Sequence, residues 1–287
     1  MKEEILRKIE KADERFRTWR NVPFEEKQQL IAKAADLLDQ KAGELGKIIT
    51  QEMNKPICQS VSEIGKCAKM MRYYAQAENI LKPEKIESQL TLSEVHYVPK
   101  GVILGVMPWN FPFWQVLRFA TPAILAGNTI VLKHASICFG SGNAIEEILS
   151  EAGFPEGVFQ NLEVGHTEVA EILAHKAVQG VSLTGSEKAG AEVASQAGKN
   201  IKKSLLELGG SDAFIILNDA NFPEAARVGT LARLQNCGQT CVAAKRFIVQ
   251  EESKDAFLPL LISEFKTYIP SDPFNKETKI SGMSRAD

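Results

Sequence analysis

The chain has 287 residues, of which 44% are hydrophobic and 24% charged, so it can fold into one large domain or two ordinary ones, and intrinsic disorder is excluded. Its 34 basic and 36 acidic residues are interspersed and give a net charge of −2. This balance excludes the electrostatic footprint of a protein that binds nucleic acid or an anionic membrane, and a small molecule or another protein is the expected partner.

The N-terminus and the cysteines both bear on location. The start of the chain is charged and lacks the apolar core of a signal peptide, and no apolar run is long enough to cross a membrane, which predicts a cytoplasmic protein. The five cysteines form no paired framework, which fits a reducing compartment. Their spacing also lacks the pattern of a zinc site, so no metal is expected.

Apolar residues recur at helical spacing through the first part of the chain. We expect helices over 2–20 and 24–50, separated by Asn21-Val22-Pro23, and a further helix over 53–77. Residues 86–99 then alternate between apolar and polar side chains. This alternation predicts a projecting β-ribbon, a feature that often pairs with another chain.

From Gly101 onward, apolar strands alternate with helices. Strands are expected over 101–107, 129–133, 158–162, 180–184 and 203–207, and helices over 114–125, 141–153, 166–173 and 185–196. The pattern predicts an α/β fold with a parallel, Rossmann-like sheet covered by helices on both faces. We expect residues 1–207 to form the N-terminal helices and the dinucleotide-binding domain, and residues 208–287 to begin a second α/β domain, the catalytic one.

Cys241 is the candidate nucleophile. It follows Gly238, whose backbone freedom lets N–H groups turn toward an anion, and it precedes Val242-Ala243-Ala244, a run that is typical of a helix start. A thiolate at a helix N-terminus is stabilised by the helix dipole. From this stretch alone, a buried and inert cysteine is an equally good interpretation.

Polar residues gather after the predicted strands, at the edge where parallel sheets bind ligands. Lys133 can donate to ribose or phosphate, although a solvated lysine is the commoner case. Gly185-Ser186 offers free N–H groups and a hydroxyl to a pyrophosphate, although the spacing is not the G-x-G-x-x-G fingerprint. Glu207, on an apolar stretch before a glycine turn, suits a general base, and Asn110, on a proline-braced loop, can donate to an oxyanion.

Four motifs follow one another along the chain: Pro108-Trp109-Asn110-Phe111-Pro112, Leu183-Thr184-Gly185-Ser186, Glu207-Leu208-Gly209-Gly210 and Asn236-x-Gly-Gln-x-Cys241. In order and spacing they resemble the aldehyde dehydrogenase superfamily, and the resemblance covers essentially the whole chain. The flanking sequence is similar to the bacterial succinate-semialdehyde dehydrogenase branch, notably at Phe113-Trp114-Gln115, Lys133-His134-Ala135-Ser136 and Gly210-Ser211-Asp212.

The resemblance implies a covalent mechanism. The Cys241 thiolate would attack an aldehyde, Asn110 and the Cys241 N–H would hold the oxyanion, and hydride would pass to NAD or NADP to leave a thioester. Glu207 would then activate the water that releases the acid. The resemblance also implies a set of cofactor-binding residues: Met107, Pro108, Trp109, Lys133, Ser136, Gly165, Gly185, Ser186 and Leu208.

Three positions within the resemblance bear on specificity. Ser136 stands where NAD-preferring members often place a glutamate that repels a 2′-phosphate, so NADP is expected to be accepted. Arg118 stands where succinate-semialdehyde dehydrogenases are similar in placing an arginine that binds the substrate carboxylate, which favours succinic semialdehyde as substrate. In those enzymes a second arginine completes the carboxylate site, but this chain has Gln235 at that position, which leaves the identity of the aldehyde open.

Cys237 lies four residues before Cys241. Two interpretations of Cys237 remain open: it packs as an inert side chain, or it forms a reversible disulfide with Cys241 that inactivates the nucleophile.

The chain stops at Asp287, where members of the family continue. Part of the catalytic domain and the C-terminal oligomerisation strand are therefore expected to be missing, which would expose an apolar surface. Two interpretations stand. The chain is part of a semialdehyde dehydrogenase that is a homo-oligomer when complete, or it is a non-catalytic fragment that binds cofactor or pairs with subunits through the 86–99 ribbon.

Overall fold

Two compact units make up the chain. The computed structural model describes residues 3–78 and 80–285. One unit contains the residues up to Leu45 together with Glu63–Glu207, and the other contains Gly46–Ser62 together with the residues from Leu208 onward. The chain thus passes from the first unit to the second after Glu207, while 46–62, placed with the first domain by the sequence analysis, lie in the second unit.

The N-terminal part is helical, with α1 at Glu3–Trp19, α2 at Phe24–Gln40, α3 at Ala42–Met53 and α4 at Ile57–Gln76. The prediction of one helix over 24–50 is wrong, because α2 ends at Gln40 and α3 begins two residues later. Lys41, between them, leaves helical geometry with φ −100° and ψ 11°. The apolar spacing continues across this break, so periodicity alone did not reveal it.

The ribbon is present but shorter than predicted. Its strands are β1 at Glu84–Lys85 and β2 at Glu94–Val95, paired antiparallel. Only β2 falls within the predicted 86–99, and the connection between the strands exposes Leu90 and Leu92 to solvent. The pairing of this ribbon with another chain stays a prediction.

A five-stranded parallel sheet forms the centre of the first unit, in the order β5-β4-β3-β6-β7. The strands lie within two residues of their predicted positions, which confirms the α/β fold class: β3 at Val102–Met107, β4 at Thr129–His134, β5 at Phe159–Leu162, β6 at Val178–Thr184 and β7 at Lys203–Glu207. The strand order reverses between β3 and β6. All carboxyl ends meet at one edge, where His134 pairs with Met107 and Glu207 with Thr184.

Helices cover both faces of this sheet: α5 at Pro112–Leu125, α6 at Phe139–Glu151, α7 at Val169–Ala174 and α8 at Glu187–Lys199. Leu104 of β3 belongs to a buried cluster with residues of α1, α7 and α8, such as Ile9 and Val193. The next residue, Gly105, faces the other way. A Cβ there would lie 2.7 Å from the ring of Phe119 in α5, so α5 packs directly onto the opposite face.

The second unit contains a smaller parallel pair, β8 at Ala213–Ile216 and β9 at Arg246–Val249, with α9 at Phe222–Leu234 and α10 at Lys254–Lys266. One face packs on these helices through Ile216 and Phe257. The other face exposes Ile215 and Ile248, which pair in register, so it is apolar and uncovered. Among all helices within 3–78 and 80–285, none has both the length and the apolar character needed to cross a membrane.

Candidate active site

The predicted cofactor residues of the first unit converge on the carboxyl edge of the five-stranded sheet. The strand order reverses there between β3 and β6, and such a switch point is where open parallel sheets bind dinucleotides. The residues at the ends of these strands, or in the loops that follow them, are Met107, Pro108, Trp109, Lys133, Ser136, Gly165, Gly185 and Ser186. The tertiary structure therefore brings these eight dispersed positions to a common edge.

The Asn110 loop leads directly into α5, whose start is braced by a buried carboxylate. α5 begins at Pro112, two residues before its predicted start. Glu63 Oε1 accepts hydrogen bonds from the N–H groups of Phe113 at 3.0 Å and Trp114 at 2.9 Å. These bonds satisfy N–H groups that a helix start leaves without partners, and the negative charge suits the helix dipole. Glu63 was not predictable as a site residue, because nothing in the linear sequence shows that α4 meets α5.

His134 braces the same loop from the end of β4. Its Nε2 lies 3.0 Å from the carbonyl oxygen of Pro112, and its Nδ1 accepts the N–H of Ala135 at 2.8 Å, which assigns the Nε2–H tautomer. The side chain is completely buried. Burial, aided by the neighbouring charge of Lys133, lowers the pKa of His134 to about 4. His134 is therefore a neutral structural link between β4 and the loop that carries Asn110.

Lys133 lies one residue before the end of β4, rather than at it. Burial lowers the pKa of Lys133, and the nearby carboxylate of Glu168 acts in the opposite direction. Glu168 accepts a hydrogen bond from the Thr167 hydroxyl at 2.8 Å, and its Oε2 would lie 3.2 Å from a Cβ added at Gly165. Glu168 was not predicted as a site residue, because the sequence favoured a helix that begins at His166 and would contain it. The helix begins at Val169, which leaves Glu168 at the edge of the site.

Ser186, and not Gly185, caps the helix after β6. The prediction that Gly185 opens this helix with a free N–H is wrong, since the Gly185 N–H donates to the carbonyl of Glu207 at 2.9 Å and α8 begins at Glu187. The Ser186 hydroxyl oxygen accepts the N–H of Ala189 at 3.2 Å. A hydroxyl that accepts one hydrogen bond still has its own O–H to donate, so Ser186 remains available to a phosphate.

A cavity of about 640 Å³ lies between α5 and the strands β6 and β7, with Arg118 and Glu207 in its lining. The prediction that Glu207 has apolar surroundings is wrong: its side chain is 54% exposed, and Leu205 on the same edge strand is 62% exposed. Arg118 Nη1 lies 3.8 Å from Glu207 Oε2. A solvent-exposed ion pair of this length contributes only about 0–1 kcal/mol, so neither side chain is held firmly by the other.

In the second unit, a left-handed run shapes the loop before Cys241. Asn236, Cys237 and Gly238 have φ values of 55°, 55° and 78°. Each non-glycine residue in this region costs on the order of 1 kcal/mol, and such strain often marks functional loops. Hydrogen bonds oppose the strain: the Asn236 N–H donates to Gln59 Oε1 at 2.8 Å, and Asn236 Nδ2 donates to the carbonyl of Gln239 at 3.1 Å.

Cys241 lies in an exposed turn. The prediction that a helix starts after it is wrong, because 241–243 form a turn that leads to β9, with the Ala243 N–H 3.3 Å from the Thr240 carbonyl. The helix dipole therefore does not act on this thiol. The alternative of a buried cysteine is also wrong, since Cys241 is exposed to solvent. The role of Cys241 as nucleophile stays a prediction.

Cys237 and Gln239 are held by the last part of the chain. The Cys237 side chain is buried, and its Sγ lies 3.4 Å from both the N and the Oγ of Ser281. Gln239 Oε1 accepts the N–H and the O–H of Ser284 at 3.1 and 3.2 Å. Packing thus accounts for Cys237, and its disulfide with Cys241 stays a prediction. Among the residues that the structure describes, no cluster of histidine, cysteine and carboxylate side chains could hold a metal ion.

Several proteins with similar sequences or structures are named succinate-semialdehyde dehydrogenases. A protein of Synechocystis sp. named probable succinate-semialdehyde dehydrogenase (NADP(+)) is 46% identical over 285 residues, which cover 99% of this chain and 63% of that protein. The Deinococcus radiodurans succinate-semialdehyde dehydrogenase (NADP(+)) is 40% identical, with 98% and 59% covered. The crystal structure of a Streptococcus pyogenes succinic semialdehyde dehydrogenase in complex with NADP+ has a TM-score of 0.96 at 39% identity, with 100% and 64% covered.

The chain spans about 60% of the length of the curated relatives it matches. The sequence profile of the aldehyde dehydrogenase family nevertheless matches residues 1–287, from the N-terminal helices through the Cys241 turn. With the parallel sheet, its switch point and the exposed cysteine, this match establishes that the chain belongs to the aldehyde dehydrogenase family.

Proposed function

We propose that this chain supplies the cofactor-binding and nucleophile-bearing part of an NADP-dependent succinate-semialdehyde dehydrogenase. The observation that carries the proposal is the exposed thiol of Cys241 in the turn that follows a strained and braced loop, in a chain of this family. The names of the relatives support the substrate and the cofactor. A cytoplasmic location and a homo-oligomeric assembly belong to the same proposal, and the free cysteines and the exposed ribbon support them.

The roles of the chain's own groups follow from their chemistry. The Cys241 Sγ forms a bond to the aldehyde carbon, and the Asn110 amide and the Cys241 N–H stabilise the resulting oxyanion. Glu207 takes a proton from the water that releases the acid, with Sγ as the leaving group. The exposure of the Glu207 carboxylate supports this role, because water reaches it directly. NADP, when bound, supplies the acceptor for the hydride.

The carboxyl edge of the sheet fits this cofactor. The partly buried ammonium of Lys133 and the O–H of Ser186 are donors suited to ribose and phosphate oxygens. Ser136 begins a short 3₁₀ turn after β4 and is exposed, so position 136 adds no negative charge at this edge. These three residues would hold the cofactor, and Leu208, which directly follows Glu207, belongs to the same proposed set.

The choice between NADP and NAD tests the proposal, both by binding affinity and by turnover. The purified chain should bind NADP at least as well as NAD, and Ser136→Glu should raise the Kd for NADP by at least about tenfold because a carboxylate repels the 2′-phosphate. Ser136→Gln introduces a side chain of the same size as glutamate but without the charge, so it is the matched control and should keep the wild-type Kd for NADP. Binding is followed by titration and thermal stabilisation, and turnover by the formation of NADPH with succinic semialdehyde. A preference of more than tenfold for NAD would contradict the proposal.

Arg118 tests the substrate. Arg118→Ala should raise KM for succinic semialdehyde by about 10- to 100-fold, the expected loss for a charged hydrogen bond to a carboxylate. An uncharged aldehyde of the same length is the matched control, and its KM should change far less. Equal effects on both aldehydes would mean that Arg118 acts on Glu207, 3.8 Å away, and not on the substrate carboxylate.

A further inference from the structure

One lysine links the Cys241 turn to a distant segment of the second unit. Lys245 Nζ donates to the carbonyl oxygen of Cys241 at 3.0 Å and also to the carbonyl oxygen of Gly210. Gly210 lies three residues after Glu207 in the chain. A single cation therefore connects the main chain of the nucleophile turn to the segment that follows the proposed general base.

The next residue, Arg246, makes a related contact without touching the turn. Its Nε donates to the carbonyl oxygen of Ser211 at 2.8 Å, and it opens β9 in register with Ala213 of β8. Lys245 and Arg246 thus bind the carbonyl groups of two successive residues, Gly210 and Ser211. Of the two, only Lys245 also binds the Cys241 carbonyl. A variant of Arg246 therefore controls for the loss of one cation and one hydrogen bond that do not involve the turn.

Other polar constraints on the Cys241 turn are weak. The N–H groups of Ala243 and Ala244 lie 3.3 Å from the carbonyls of Thr240 and Ala232, longer than the usual 2.9–3.0 Å. Cys241 and Val242 are exposed, whereas Ala243 and Ala244 are buried, so packing holds the end of the turn but not Cys241 itself. The bond from the charged Nζ to the Cys241 carbonyl is the shortest of those that hold the turn among the described residues.

We propose that Lys245 is a positioning residue for the nucleophile turn. It fixes the peptide group that joins Cys241 to Val242 and so stabilises the turn in which the Ala243 N–H binds the Thr240 carbonyl. The peptide group of that carbonyl carries the Cys241 N–H that receives the oxyanion. This inference rests on the proposed function, in which that N–H stabilises charge on the former carbonyl oxygen. A reaction that creates an oxyanion depends on this orientation, whereas a displacement reaction at the same sulfur does not.

Hydrogen exchange tests the positioning without any chemistry at the thiol. In Lys245→Met, which keeps most of the length of the side chain but not its charge or its donors, the amides of Ala243 and Ala244 should exchange about fivefold faster than in wild type. Lys245→Arg should restore slow exchange, and Arg246→Met should leave these amides unchanged. Unchanged exchange in Lys245→Met, or the same increase in Arg246→Met, would overturn the proposal.

Two reagents then distinguish the orientation of the Cys241 N–H from the reactivity of the Cys241 thiolate. With 4-nitrophenyl acetate, the thiolate forms an S–C bond, the ester C–O bond breaks and 4-nitrophenolate leaves, through an oxyanion. With iodoacetamide, the thiolate displaces iodide and no oxyanion forms. Lys245→Met should slow acylation of Cys241 about fivefold and alkylation less than about twofold, and Lys245→Arg should restore acylation. Equal slowing of both reactions would overturn the positioning role. A wild-type chain that is alkylated but never acylated would contradict the proposed nucleophile, while the exchange result would still decide the role of Lys245.

Discussion

Replacing Cys241 by alanine is expected to abolish oxidation of succinic semialdehyde, with a fall in kcat/KM of at least about 10⁴-fold. The reason is that the covalent thiohemiacetal and thioester cannot form without the sulfur. Formation of NADPH measures the effect. Cys58 is the matched control, since it is also exposed and lies in the same unit, and Cys58→Ser should retain wild-type turnover.

Three outcomes of this comparison are informative. Turnover in wild type and Cys58→Ser that is lost in Cys241→Ala would establish the nucleophile and show that these 287 residues suffice for chemistry. Turnover that survives in Cys241→Ala would contradict the mechanism. A wild-type chain that is inactive yet thermally stabilised by NADP would favour the interpretation of a cofactor-binding fragment.

Acid should destabilise the first unit through His134. The pKa of this residue is about 4 in the folded chain, below its ordinary value of 6.5, so the unfolded chain binds the proton more tightly. The contribution of neutral His134 to the free energy of unfolding is complete above about pH 6.5 and is lost as the pH falls toward 4. A difference of this size corresponds to about 3 kcal/mol in the free energy of unfolding. Protonation would also place a charge in a buried site whose Nδ1 accepts the Ala135 N–H.

Urea unfolding at a series of pH values measures this effect. All three tryptophans, Trp19, Trp109 and Trp114, lie in the first unit, so their fluorescence reports on the unit that contains His134. His134→Gln retains a donor for the Pro112 carbonyl but does not titrate, and it should flatten the pH dependence between 6.5 and 4. His166→Gln removes an exposed histidine from the same unit and should leave that dependence as in wild type. A wild-type slope in His134→Gln would contradict the assignment.

The strands of the parallel sheet were predictable because each one is a continuous apolar run between helices. A strand buried on both faces, such as β4, needs such a run whatever its neighbours are. The order of residues along the chain also sufficed to predict that Lys133, Ser136 and Ser186 lie close to the carboxyl ends of strands. Since parallel strands end at one edge, their convergence there follows from the fold class.

The environment of each group depends on packing between distant segments, and predictions of environment from neighbours in the sequence were wrong. Glu207 is flanked by leucines in the chain, yet β7 lies at the edge of the sheet and both Glu207 and Leu205 face solvent. Val242-Ala243-Ala244 has helical composition, yet this segment turns and enters β9. In each case, tertiary contacts outweigh a weak local preference.

The sequence by itself determined the family, the α/β fold and the chemical types of the candidate groups, because these depend on residue identity, order and periodicity. Only the tertiary structure revealed the groups that hold the candidate site in place. Glu63 and His134 brace the Asn110 loop, and Lys245 connects Cys241 to Gly210. Apart from the bond between Lys245 and Cys241, which are four residues apart, these contacts join segments that are distant in the chain. A hydrogen bond depends on distance and direction in space, which linear order does not encode.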